Sequence, residues 1–565
     1  MRLGIFYEHQ LPRPWEPDSE ERVLAEALEQ VELADRVGFD YVWEVEHHFL
    51  EEYSHSSAPE VFLAAASQRT RRIRLGHGIV QIPPGFNHPA RVAERVATLD
   101  LISGGRVDFG TGESSSQSEL GGFNVDRELK REMWDEALDA ITRMFVEEPF
   151  AGYDGRFLKM PPRNVIPKPK QKPHPPLWVA CSRRETIQLA ARKGIGALSF
   201  SFVEPEAAKE WADSYYSLLA SPECVPAGFE VNANLAVVLP MMCHQDEATA
   251  IERGIDGGHF FGYSLAHYYL FGKHRPAHTD IWADFKENRG ERGFSREIVN
   301  PDDAPLGVKL LAQGGIVSLR GAVGTPAQIR DLIERYEQAG VDQVIFVSQA
   351  GRNRHEHICE SLELFGREVL PRFAEQADRK DSERRERMAE ARERALLRRA
   401  PARHMDGDYV IAAQSEGMGT GPQSEGALPL ERPGKDDVFL GMVRNRTDIE
   451  LDAIFSAGPG LAMIFRGMQE VFRPERAQDF QGRVQYVLDG RAGARSWVLD
   501  ISDGQLKIEE AAVDDALVTL RLGIPTFARM IAGQLSPSAA LTDGKLVVEG
   551  DLDAALRLGE MFEPG

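Results

Sequence analysis

Glu46-His47-His48-Phe49 is the most chemically suggestive run in this 565-residue chain. Two adjacent histidines beside a carboxylate could act as a base with its orienting partner, or as metal ligands. Adjacent residues project in diverging directions, and no HExxH or facial-triad spacing accompanies them. Acid–base chemistry is therefore favoured, and no metal is expected. A second candidate is Cys181-Ser182-Arg183-Arg184-Glu185-Thr186, the start of a helix that follows a strand. Ser182 is expected to cap that helix, Thr186 adds a hydroxyl, and free N–H groups near Arg183 to Glu185 would face an anion such as a phosphate. A plain N-cap is the alternative. The loop Gly110-Thr111-Gly112-Glu113-Ser114-Ser115-Ser116 could cradle a ligand with its backbone or simply turn, and both readings stay open. Cys181 has no His or Asn at a nucleophile's spacing and is read as a small packing residue. His274, His278, His355 and His357 are read as surface residues without identifiable partners.

Each of these candidates follows a strand, and the strands are what must position them. Arg2–Tyr7, Tyr41–Val45, IRLGHGIV, RVDFG, LWVA, GALSF, NANLAVVL and QVIFV alternate with amphipathic helices. The first helix spans about Ser19–Val37, with Asp18 expected to cap it. Pro59 and Pro89 open the next two helices, and Gly104-Gly105 stops the second of them. Repeated β-then-α units imply a parallel sheet with right-handed crossovers. A count near eight favours a closed (β/α)₈ barrel of the α/β class over an open sheet, and no GxGxxG follows the first strand. In such a barrel function sits at the strand exits, and all of the candidate loops above open on that rim.

Composition sets outer limits. The chain is 42% hydrophobic and 27% charged with a formal net charge of −22, and its isoelectric point is near 5.2. That balance argues against chain-wide binding of nucleic acid or of an anionic membrane. Four scattered cysteines, with no CxxC pair, suggest neither a zinc knuckle nor a disulfide framework. The N-terminus carries no signal-peptide pattern. The apolar stretch Ala233–Met242 is far short of the roughly 20 residues that cross a bilayer. A cytoplasmic protein is expected. Residues 374–403 form a charge-dense segment read as a solvated helical linker, and the Gly/Ser/Pro-rich stretch to residue 436 is read as flexible. A second, α+β domain is expected over 437–565. Its strand pattern is clearest in GRVQYVLDG, with turns at Asp489-Gly490, Asp503-Gly504 and Asp543-Gly544 and helices near Asp448–Arg466 and Pro525–Ala532.

The blocks GFDYVWEVEHHF, LGHGIVQIPPGFNHPARVAERVATLDLISGGRVDFGTG, PPLWVACSRRETIQLAARKGIG and VGTPAQIRDLIERYEQAGVDQVIFV occur in family order and together resemble the bacterial luciferase-like flavin monooxygenases over residues 1–373. The resemblance implies a (β/α)₈ barrel using FMN or the deazaflavin F420. The Glu-His-His-Phe form is similar to the branch that uses reduced FMN. Carried over by motif, His47 is the catalytic histidine and His48 its neighbour. Gly78-Ile79 matches a strand end where the family often has a non-proline cis peptide under the flavin ring, and Ser182 and Thr186 match the phosphate loop. Glu46, Gly112 and Arg131 complete the implied cofactor contacts. Two departures stand out. Gly112 and Glu113 replace a cysteine and the phosphate-binding arginine, so Arg131, Arg183 or Arg184 would have to supply the charge. Cys181 replaces a carboxylate, and light emission is not inferred.

The tail FARMIAGQLSPSAALTDGKLVVEGDLDAALRLGEMF resembles the end of sterol carrier protein-2-type lipid-binding domains. Met442, Met463, Phe465, Met468, Phe527 and Met530 are read mostly as core, though a Met-rich lining would suit a variable lipid. The resemblances together imply oxidation of an apolar small molecule by reduced FMN and O₂, with flavin supplied by a separate reductase and the tail holding a lipid or substrate. The alternatives are an F420-dependent dehydrogenase or reductase, and a non-catalytic lipid-binding or assembly protein. A homo-oligomer is left open.

Overall fold

The computed structural model describes residues 1–199, 204–295, 320–405, 409–411, 439, 442–443, 446–456, 458–477, 479–491 and 493–562. The chain divides into two compact units, Met1–Gly426 and Ala427–Gly565.

In the first unit eight parallel strands close on themselves. They are β1 (Arg2–Tyr7), β2 (Tyr41–Glu44), β3 (Arg74–His77), β4 (Val107–Gly112), β5 (Leu177–Cys181), β6 (Gly196–Ser199), β7 (Leu235–Cys243) and β8 (Gln343–Val347). Each pairs with its sequence neighbour, and β8 returns to β1 with Arg2 opposite Gln343. Burial on both faces explains why strands such as β7 and β8 read as nearly continuous apolar runs rather than alternating ones. Trp43 and Trp178 fill the interior, their rings 5.2 Å apart and nearly perpendicular. Gly76 makes room for this: a Cβ there would lie 2.2 Å from the Trp43 ring. IRLGHGIV is two strands rather than one, β3 and the short Val80–Gln81, which pairs with the end of β4. Asp18 does stand at the N-cap of the helix Ser19–Val37, but its side chain does not cap it; the carboxylate instead accepts from Arg22 at 3.0 Å.

The charged segment is not a solvated linker. It forms the helix Leu370–Leu396, which runs unbroken through residue 373 and buries Leu370, Phe373, Ala377, Met388, Ala391 and Ala395. Arg384 pairs with Asp342 at 3.0 Å and Asp381 with Arg2 at 2.8 Å, so the helix is clamped where strands β8 and β1 begin. That is the face opposite the strand exits, where conservation of structure rather than chemistry is the usual task. The Gly/Ser/Pro-rich stretch falls almost entirely outside the described residues.

The second unit holds five strands, β9 (Gly482–Gly490), β10 (Gly493–Ser502), β11 (Gln505–Glu509), β12 (Val518–Gly523) and β13 (Leu546–Gly550), in the order β11-β10-β9-β12-β13. Asp503 and Gly504, both at positive φ, make the two-residue turn between β10 and β11. The first hairpin instead turns two residues later, after the Gly490–Gly493 pair. The helix expected over 448–466 is two, Asp448–Phe455 and Gly458–Val471. Thr447 and Glu450 box the start of the first, and Gly458-Pro459-Gly460 interrupts the apolar periodicity. Phe465 stacks on Trp497 at 4.4 Å, with Phe527 and Tyr486 beside it. Phe465, Met468 and Phe527 are core, Met442 and Met530 pack against it, and Met463 is exposed. Among the described residues no helix is long and apolar enough to cross a membrane.

Candidate active site

Where the strands β1 to β4 end, their loops bring two histidines and three buried carboxylates together. His47 is held from both sides. Its Nδ1 donates to Glu119 Oε1 at 3.0 Å, and its Nε2 lies 3.8 Å from Glu8 Oε2. The ring packs edge-on against Tyr53 at 5.6 Å. Burial works against a charged imidazole here, but Glu8 and Glu119 outweigh it and raise the His47 pKa to about 9. The ring is therefore an imidazolium at neutral pH, with a proton on each nitrogen.

Glu119 is the fixed anion. It is fully buried, yet it accepts from His47, from the His48 backbone N–H at 3.0 Å, from Gln81 Nε2 at 2.7 Å and from Ser114 Oγ at 2.6 Å. Burial alone would raise its pKa; His47 and these donors bring it below the usual carboxylate range. Glu8 is differently placed. Tyr53 donates to its Oε1 at 2.8 Å, while Oε2 is buried without a hydrogen-bond partner among the described residues. Burial pushes its pKa up to about 7, against the pull of His47 and Tyr53. Backbone strain collects around this centre: His9, Phe49 and Ser114 all hold positive φ, a conformation rare outside glycine and common at functional sites.

His48 does not orient His47. Its Nε2 turns to Glu46 Oε1 at 3.0 Å and its ring meets Phe123 edge-on at 4.8 Å. Glu46 is itself occupied by protein groups: Asn87 donates to Oε1 and the Gln81 backbone N–H to Oε2, both at 2.8 Å. Its carboxylate holds His48 and the β3 exit rather than facing outward. Gly78, Ile79 and Gly112 form one seam, since a Cβ on Gly112 would lie 2.5 Å from Ile79 Cδ1. The cis peptide expected at Gly78–Ile79 is absent. The four cis bonds among the described residues all precede proline, consistent with the roughly 2.5–4 kcal/mol cost of a non-proline cis bond.

At the β5 exit the helix Arg184–Arg192 begins one residue later than expected. Arg183, not Ser182, occupies its N-cap, in extended conformation and without a side-chain cap. Ser182 is exposed and Thr186 half-buried in the first turn. Arg183 and Arg184 make no ion pair among the described residues. Arg131 is not free: its guanidinium donates to Glu113 at 2.9 Å, and Lys130 approaches the same carboxylate at 3.3 Å. Arg131 also lies near enough to Cys181 to act on its thiol, whose pKa burial nonetheless pushes far up, so Cys181 is a packing residue as read. His274 and His355 are not bare surface residues. His274 sits 3.1 Å from Glu51, and His355 meets Glu29 at 3.3 Å and accepts or donates at Gln30 at 3.1 Å.

Glu8, Glu119, Gln81, Tyr53 and Tyr269 escape the reading of the sequence. Glu8 carried a signal, because it is the first residue past β1. Glu119 lies in the short helix Gln117–Gly122 just past the Ser-rich loop, where glycine and hydroxyls draw attention first. Tyr269 has none: it lies in the π-helical turn His267–Phe271, and its hydroxyl is influenced by both Glu119 and Glu8. Such π-turns recur at functional sites.

Residues 1–343 match the family model described as luciferase-like monooxygenase. Residues 465–563 match that of the SCP-2 sterol transfer family. The alkanal monooxygenase alpha chain of Photobacterium leiognathi is 25% identical over 366 residues, 63% of this chain and 94% of that one. The oxygenase component of the flavin-dependent trigonelline monooxygenase of Acinetobacter baylyi is 30% identical over 198 residues, 34% of this chain and 52% of the relative. The chain spans about half the length of several curated relatives that it matches, 49% and 48% in two of them. Among solved structures, the monooxygenase RslO1 of Streptomyces bottropensis superposes with a TM-score of 0.51 at 26% identity, covering 66% of this chain and all of that one.

Proposed function

The chain belongs to the luciferase-like monooxygenase family, and from that membership we propose that its barrel is a flavin-dependent monooxygenase that oxidises an apolar small molecule with O₂ and reduced FMN. The observation that carries this reading is His47, an imidazolium clamped by Glu119 at the rim where a family member would work. Reduced FMN, when bound, supplies the electrons that activate O₂; the protein supplies position, dryness and protons. Glu119 fixes the tautomer and orientation of His47 through Nδ1, leaving Nε2 to deliver a proton or take one back. The β5 exit is the place that would take the cofactor's phosphate. The uncapped helix start, the Ser182 and Thr186 hydroxyls, and Arg183 and Arg184, which make no ion pair among the described residues, would together favour an anion without Arg131. The oxygenase-component name of one relative supports a separate reductase as the source of reduced flavin. The C-terminal unit is read as a lipid-binding module that holds or delivers the apolar substrate.

Anaerobic titration with reduced FMN and with reduced F420, followed by O₂, tests this. Tight binding of reduced FMN and oxygen uptake are expected. Preference for F420 without oxygen uptake would assign the barrel to dehydrogenase or reductase chemistry, and binding of neither would leave the lipid-binding unit as the working part.

A further inference from the structure

The two carboxylates on His47 are unequal, and the inequality has a use. Glu119 is saturated by four donors. Glu8 is held by Tyr53 with Ser54 beside it, and among the described residues its second oxygen is buried, without a hydrogen-bond partner and 3.8 Å from the nitrogen of His47 that Glu119 leaves free. We propose that Glu8 is the proton reserve of this centre, reloading His47 Nε2 through its free Oε2 after each donation. The proposal rests on the reading of His47 as proton donor. The step is a proton shift alone: neutral His47 and the Glu8 carboxylic acid become imidazolium and Glu8 carboxylate, and solvent later returns the proton to Glu8. No electrons move. A closure of about 1 Å from the present 3.8 Å would make the hydrogen bond along which the proton passes.

The surroundings suit an acid that must be neutral part of the time. Glu8 faces Glu44 from the end of β2, whose charge disfavours a second anion, and Tyr53 and His47 from the loop that follows, which favour it. Tyr269 faces it from the turn over the site. Two carboxyls whose environments drive their proton affinities apart commonly divide fixed-anion and acid–base roles between them.

The test uses the full-length protein labelled at its fifteen histidines, with the His47 resonance identified by its loss in His47→Asn. Glu8→Gln keeps the shape and still accepts from Tyr53, but carries no proton to give. Its His47 titration should fall by about one pH unit, roughly tenfold in proton affinity, and collapse from two coupled steps to one. Glu8→Asp should restore part of the shift. Tyr53→Phe, which removes the donor that favours the Glu8 anion, should also lower the His47 titration and serves if Glu8→Gln does not fold. Turnover of Glu8→Gln should decline from a pH about one unit lower than in the parent. An unmoved titration in both Glu8→Gln and Tyr53→Phe, with turnover lost in His47→Asn, overturns the reserve alone. Undiminished turnover in His47→Asn overturns the reading on which it rests.

Discussion

His47 keeps its charge because two carboxylates outweigh the cost of burying it, and that balance makes stability depend on pH. Its folded pKa of about 9 lies above the ordinary histidine value. The stabilisation is therefore complete below about pH 6.5 and is lost as pH rises through 9. Glu8, raised to about 7, acts in the same direction over a lower window: its neutral form favours the fold, and that benefit disappears between about pH 4.5 and 7. Thermal melts across this range should show a falling midpoint, and His47→Asn should flatten the part above pH 7. A variant whose melting follows the parent's pH dependence throughout would show that His47 titrates as an ordinary histidine. On activity, His47→Asn should fold yet lose roughly 10²–10⁴-fold in turnover, the usual range for a general acid or base. His48→Ala should cost much less, because its side chain serves Glu46 and Phe123 rather than His47.

The elements that place these residues have opposite ends with different duties. At the strand exits, Thr186→Glu would set a carboxylate in the first turn of the uncapped helix Arg184–Arg192. It should weaken FMN at least tenfold and riboflavin little; fluorescence quenching by the two flavins compares them, and equal losses would move the phosphate elsewhere on the rim. Inside the barrel, Gly76→Ala drives a methyl into Trp43 and should cost about 1–3 kcal/mol of stability, read from denaturant unfolding. Strand and helix identity were legible in the chain because most barrel strands are dominated by apolar residues and most of the helices between them carry a 3.6-residue apolar stripe. The role of helix Leu370–Leu396 was not: its buried Phe373, Ala377, Met388, Ala391 and Ala395 are too sparse among arginines and glutamates to reveal a packed face. His47 could be found from its place after a strand. Its partners could not, since Glu8 and Glu119 lie 39 and 72 positions away and meet it only when the barrel closes. The Ser182 cap failed for a local reason, the chain staying extended through Arg183 before it coils.

At the scale of the molecule, two units share one chain, and tethering can raise the effective concentration of one at the other into the millimolar range. Ending the chain near Ser415 keeps the helix Leu370–Leu396 and should leave a barrel that still binds flavin. Ending it at Phe373 strips that helix and should destabilise the barrel markedly. If the tail delivers substrate, the longer truncate should lose turnover of a poorly soluble apolar compound and keep that of a short, soluble analogue; equal losses would make the tail a stabiliser or an assembly contact. On the proposed function, this barrel would govern the reaction of reduced FMN with O₂ through His47. The most direct measurement is rapid mixing of the protein–reduced FMN complex with O₂, following the return of oxidised-flavin absorbance for the parent and for His47→Asn. The parent should follow a course distinct from that of free reduced FMN, altered about tenfold or more by the substitution. A course identical to that of the free flavin in both proteins would contradict it.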